Sequence, residues 1–171
     1  MPSESRAGTS GPSPATGTHA EAHAGAHTEA RRAAMALCAE ATLPELRAAL
    51  DALGPTGPLT ELRRPETGLV MARGRVGGDG ARFNLGEATV TRAAIRLAGG
   101  ETGFAYHLGR DAERARAAAT LDALWQVPAR RAAVERALAP VARRLAEAEA
   151  LAARRTAATK VEFFTLVRGE D

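Results

Sequence analysis

The chain has 171 residues, 23 Lys and Arg against 20 Asp and Glu, a formal net charge of +3, and 45% hydrophobic but only 4% aromatic residues. No apolar run approaches the ~20 residues of a membrane-spanning helix, and the single cysteine, Cys38, excludes an intrachain disulfide. The pI near 9.9 reflects bases that are almost all arginine, Lys160 being the one lysine, and four Phe, one Tyr and one Trp are few for the stacking platforms of a single-strand nucleic-acid binder.

Residues 1–27 read as a disordered N-terminal tail. Ser, Gly, Pro, Thr, Ala and His follow no period there, and such a segment buries too little apolar surface to offset its ordering entropy. It lacks the basic start and continuous apolar stretch of a secretory signal, so a cytoplasmic location is expected. His19, His23 and His27 stand four apart, but Gly25 interrupts them and no acidic or thiol ligand converges, so a solvated tail is the simpler reading than a metal site.

Residues 28–171 form the folded part. Thr28 can cap a helix, and Met35, Leu37, Leu43, Leu46, Leu50 and Leu53 supply an apolar stripe. Pro44 opens a second helix at its first turn, behind Thr42 or Leu43. Gly54-Pro55 ends it, and Gly57-Pro58 extends the turn.

The middle of the chain reads as sheet. Leu59–Arg64, Gly68–Val76, Arg82–Leu85, Ala88–Leu97 and Gly103–Leu108 are short runs, separated by Pro65-Glu66, Gly77-Gly78-Asp79-Gly80, Gly86-Glu87 and Gly99-Gly100. Links this short cannot hold crossover helices, so about five antiparallel strands are expected. Along the fourth run Thr89, Thr91, Ala93, Ile95 and Leu97 alternate with Val90, Arg92, Ala94 and Arg96, which predicts a core face and a semi-polar outer face.

Helical pattern then returns. Asp111 can cap a helix to about Gln126 that carries Ala115, Ala118, Leu121, Leu124 and Trp125. Pro128 opens another, and Pro140 starts a third or kinks it. Val141, Leu145, Ala148, Leu151 and Ala152 form a seam, and Val161–Val167 suits a final strand or extended arm. The fold class is α+β, an antiparallel sheet flanked by N-terminal and C-terminal helices.

Catalytic constellations are missing. The stretch Gly74 to Gly80 lacks the spacing, the Lys and the following helix of a phosphate loop, so a glycine hairpin is the simpler reading. His107 is the one histidine of residues 28–171, no Ser–His–Asp set assembles, and no metal-ligand spacing occurs. The candidate interface or anion-binding residues are Glu66, Arg73, Arg75, Asn84, Glu87, Thr89, Thr91 and Arg92 on the strands. Arg110 and Asp111 join them at a strand-to-helix corner, and Arg168 near the C-terminus. Solvated ion pairs and a docking or phosphate-binding face both account for the strand residues.

The run RPETGLVMARGRVGG over residues 64–78 resembles the signature segment of the PhnG family. The resemblance continues through FNLGEATVTRA at 83–93, GRD at 109–111, LDAL at 121–124 and VEFFTLVRG at 161–169. It implies membership of the bacterial carbon–phosphorus lyase core complex with PhnH, PhnI and PhnJ. It also implies a part in forming alpha-D-ribose 1-methylphosphonate 5-triphosphate from ATP and methylphosphonate with release of adenine. In that family the step depends on PhnG, PhnH and PhnI with the ATPase-like PhnL, and PhnI is the nucleosidase component. The iron–sulfur cluster and S-adenosylmethionine belong to PhnJ. No catalytic residue carries over, no cofactor is expected on this chain alone, and ATP enters at the level of the complex. A scaffold and activator of PhnI is the leading expectation. A donor of arginines (Arg75, Arg92 or Arg110) to a shared ATP or phosphonate pocket is the alternative, and a stand-alone nucleic-acid module rests on the pI alone.

Overall fold

A computed structural model describes residues 17–77 and 79–159. The elements are α1 (Gly17–Glu40), α2 (Leu43–Leu53), β1 (Leu59–Arg75), β2 (Arg82–Leu97), β3 (Thr102–Leu108), α3 (Ala112–Gln126) and α4 (Pro128–Ala158). The strands form one antiparallel sheet in the order β1-β2-β3, so the α+β reading holds. The strand count does not: there are three strands among the described residues, not about five. Pro65-Glu66 and Gly86-Glu87 lie inside β1 and β2 instead of between strands. The pairing absorbs them through register shifts, one between Arg63 and Glu66 and another between Ala72 and Arg73 that leaves Leu85 unpaired. Proline is tolerated there because β1 is an edge strand and the site is irregular, and bulges accommodate the extra residues.

Local chemistry sets the helix ends. Thr42 N-caps α2 in a capping box: its hydroxyl accepts from Glu45 N, and its own N–H donates to Glu45 Oε2 at 2.7 Å. Arg144 of α4 donates to both oxygens of the same carboxylate, at 2.7 and 3.0 Å, so one side chain caps α2 and ties it to α4. Arg144, and behind it the Thr42 N–H, draw the Glu45 carboxyl from 4.5 down to about 2. A folded-state value below the unfolded one stabilises the fold above pH 4.5, and that contribution is lost as pH falls through about 2. Glu45→Gln is therefore expected to lower the urea midpoint at pH 7. Its deficit against the parent should shrink as pH drops from 4.5 toward 2, and a pH-independent gap would contradict this assignment.

Asp111 caps α3 as expected, its Oδ1 accepting from Arg114 N at 2.9 Å. α4 continues through Pro140 as one helix, so Pro140 removes one backbone bond without starting a third helix. α1 begins ahead of Thr28, at Gly17. The expectations for residues 1–16, for Val161–Val167 and for Arg168 lie outside the described residues.

The core sits between the helices and one face of the sheet. α3 is its centre, with Ala115, Ala118, Leu121, Leu124 and Trp125 all buried. Leu46 of α2 and Val134, Leu138 and Val141 of α4 pack around it. Half of the buried apolar residues are alanines, which lets backbones approach closely. The tightest approach is at Gly103 of β3, where a Cβ would collide with Ala119 O and Ala123 N of α3. On α1 from Gly25 onward the buried positions are Ala34 and Cys38, with Met35 and Leu37 only half-buried. On α4 the apolar seam is buried at Val141 and half-buried at Leu145, while Ala148, Leu151 and Ala152 are exposed. The seam thus outruns the body it was expected to pack on.

Candidate functional site

The helices cover one face of the sheet through Ala93, Ile95, Leu97 and Ala105, leaving the alternate residues on the other side. On β3 this inverts the usual distribution of sizes. Gly103, Ala105 and His107 point inward, while Phe104, Tyr106 and Leu108 point outward, with Tyr106 57% and Leu108 75% exposed. The small inward residues follow from the closeness of α3, which leaves no room for larger ones.

The pairing register extends this outer face across the sheet. Leu108, Tyr106 and Phe104 stand opposite Val90, Arg92 and Ala94, and Val90 and Ala88 stand opposite Gly68 and Val70. Farther out, β1 and β2 continue as a two-stranded ribbon past the helices. Gly74 pairs with Phe83 there, and a Cβ on Gly74 would strike Leu85, so Leu85 and Phe83 lie on the same side as Val70. Phe83, Leu85, Val70, Phe104, Tyr106 and Leu108 are all exposed. Contiguous apolar surface of this kind marks an interaction site, and its mixture of aromatic side chains with arginine is that of protein interfaces.

The expected polar face is distributed differently. Only Glu66 and Arg92 belong to the outer side, where Glu66 bridges Arg92 at 2.7 Å and pairs with Arg63. Arg63 first, then Arg92, lower the Glu66 carboxyl below its ordinary value. Arg73, Arg75, Glu87 and Thr89 fall on the opposite side by simple alternation from Glu66 and Arg92, and the bulge at Leu85 brings Asn84 to the same side. On the ribbon Arg73, Asn84 and Glu87 are exposed, and Arg75 Nη1 donates to Gly80 O at 3.0 Å. The outer face therefore carries the expected Val90, Arg92, Ala94 and Arg96, and joins to them the exposed apolar side chains of β3 and the ribbon.

Thr91 proves to be structural. It is 1% exposed, its hydroxyl donates to Gly109 O at 2.7 Å and accepts from Asp111 N at 3.1 Å, and Thr67 Oγ1 lies 3.2 Å away. It thereby clamps the β3–α3 corner. Two N–H groups at the start of α3, those of Asp111 and Arg114, are engaged internally, and Arg110 is exposed beside them.

Three reactive residue types meet between α1, β3 and α3 in a cavity of about 320 Å3, lined in part by Cys38, His107 and Asp122. Their surroundings silence them. Burial, and secondarily the Asp122 charge, push the Cys38 thiol up to about 12, so no thiolate forms at neutral pH. Burial first and Arg114 second hold His107 below its ordinary value. Neither ring nitrogen closes a hydrogen bond, although the Ala39 carbonyl acts on it. Asp122 is engaged by Arg31 at 2.9 and 2.8 Å and by Phe104 N at 2.9 Å. Sequence reasoning missed this long-range pair, because nothing in residue spacing links positions 31 and 122. Among the described residues no group of three or more His, Cys, Asp or Glu could hold a metal, and no helix is long and apolar enough to cross a membrane.

The chain matches, over residues 29–169, the model of the family described as "Phosphonate metabolism protein PhnG". It is 54% identical over 141 residues to the "Alpha-D-ribose 1-methylphosphonate 5-triphosphate synthase subunit PhnG" of Rhizobium meliloti (strain 1021), a similarity that covers 82% of this chain and 90% of that protein.

Proposed function

Because the chain belongs to the PhnG family, we propose that it is a non-catalytic subunit of a ribose 1-methylphosphonate 5-triphosphate synthase, docking by the uncovered face of its sheet. The reaction is displacement of adenine from the ribose of ATP by methylphosphonate. The observation that carries the reading is the apolar outer face. A chain that leaves Phe104, Tyr106, Leu108, Phe83 and Leu85 exposed leaves water-exposed apolar area that a partner surface would bury at about 25 cal/mol per Å2. The chemistry of the described residues agrees with a supporting role, since its one thiol and its one strand histidine are both buried.

PhnI is the chief partner in this proposal, with PhnH and PhnJ in the same core and PhnL associating with it, all in the cytoplasm. ATP and the alkylphosphonate bind at the level of the assembly, this chain binds no cofactor of its own, and the iron–sulfur and S-adenosylmethionine chemistry resides in PhnJ. Co-expression with tagged PhnI tests the reading. The chain is expected to co-purify in fixed ratio and to be required for adenine release from ATP plus methylphosphonate. A soluble chain that never co-purifies, or that releases adenine unaided, would overturn it.

A further inference from the structure

Three arginines at the end of the ribbon have no acidic partner among the described residues. Arg73 and Arg75 alternate along one face of β1, and Arg82 stands directly across from Arg75. With Gly74 they line one open recess of about 500 Å3. Several other arginines are neutralised, Arg31 by Asp122, Arg47 by Glu113, Arg92 by Glu66 and Arg144 by Glu45, but among the described residues no other three share one recess so closely along a strand pair. Among the described residues no ion pair involves Arg73, Arg75 or Arg82, and Arg75 spends one donor on Gly80 O out of the five a guanidinium carries. Like charges directly opposed across a strand pair are destabilising, so the pair Arg75–Arg82 weakens the hairpin it sits in. In the turn beyond, Gly80 N bonds to Val76 O at 3.1 Å and Asp79 N to Gly77 O at 2.8 Å, with Gly77 at φ 64. The tip thus gathers positive charge where the helices no longer reach.

We infer that this tip binds polyphosphate: Arg73, Arg75 and Arg82 take the triphosphate chain of a nucleoside triphosphate, or of the ribose 5-triphosphate derived from it, within the assembled synthase. The inference rests on the subunit reading above, because the relative's synthase makes a product that carries a 5-triphosphate. Planar guanidinium forks pair two-pronged with phosphate oxygens, and three forks around one recess suit a compact polyanion. A nucleic-acid strand would spread its charge along a longer track and call for aromatic stacking beside it, whereas Phe83 lies on the other face of the ribbon.

The test uses the assembled complex carrying Arg73→Gln, Arg75→Gln and Arg82→Gln together, beside an Arg143→Gln, Arg154→Gln control on exposed α4 positions. The tip variant should assemble in normal ratio with its KM for ATP raised at least tenfold, and the control should match the parent. A tip variant that assembles with unchanged KM overturns the inference while leaving the subunit reading intact. Loss of co-purification by the parent chain strikes the subunit reading instead. A second measurement needs no variant: phenylglyoxal modification of the parent complex, mapped by mass spectrometry. ATP and inorganic tripolyphosphate should each slow modification of Arg73, Arg75 and Arg82 at least fivefold. Equal rates with and without them, or protection by a single-stranded oligonucleotide alone, would overturn the proposal.

Discussion

A chain carrying Phe104→Asp and Tyr106→Asp is expected to fold normally and to bind its partner subunits at least 100-fold more weakly. Both side chains point away from the helices and stand 45% and 57% exposed. Their replacement removes little from the core, and surface changes of this kind stay within about 0.5 kcal/mol. At an interface the balance reverses. Buried aromatic anchors are the residues whose truncation costs about 2 kcal/mol or more, and a carboxylate placed against an apolar partner surface adds a desolvation penalty. Two such changes together exceed about 3 kcal/mol, roughly a hundredfold in Kd. Circular dichroism melting would check the fold, and titration calorimetry with the purified partner would check the affinity. Parent-like binding by a well-folded variant removes this face from the interface.

Asp122→Ala carries the second large effect, on stability. The carboxylate is 3% exposed and joins three elements: Arg31 of α1 donates twice to it, and Phe104 N of β3 donates to Oδ2 at 2.9 Å. Removing it strands a buried backbone N–H and leaves Arg31 without its counter-charge. Breaking a buried pair from one side costs about 3–5 kcal/mol. Arg31 keeps 29% side-chain exposure, and the water this admits places the expected loss near the lower figure, about 3 kcal/mol. Asp122→Asn retains an acceptor and should lose less. Urea unfolding at neutral pH measures both, and a loss under about 0.5 kcal/mol for the alanine variant would show that the triad contributes nothing. Because the same carboxylate holds β3 against α1 and α3, its removal should also loosen the strand that presents Phe104 and Tyr106, coupling core stability to assembly.

Much of the fold was legible because its signals are local. Thr42, Pro44 and Gly54 place both ends of α2. Asp111 announces α3, and the glycines from Gly74 to Gly80 announce the hairpin between β1 and β2. The misreadings were also local in origin. Pro65 and Gly86 punctuate a sequence strongly, and only pairing with a partner strand decides whether such a residue ends a strand or is carried as a bulge. The apolar pattern of α4 beyond Leu145 was legible as a seam, but not that the body ends before it.

For the site, chain order by itself determined the α+β class, the caps at Thr42 and Asp111 and, through the run at residues 64–78, the resemblance to PhnG. Which face of the sheet is open was decided only in three dimensions. Gly103, Ala105 and His107 look like the weaker face of β3, yet they turn inward because α3 lies against Gly103 at backbone contact, and Phe104, Tyr106 and Leu108 are left outside. The bulge at Leu85 then turns Arg82 to the side of Arg73 and Arg75, and Phe83 to the other. Side-chain alternation is fixed within a strand, but its sense depends on register, and register is set by distant pairing that residue order does not contain.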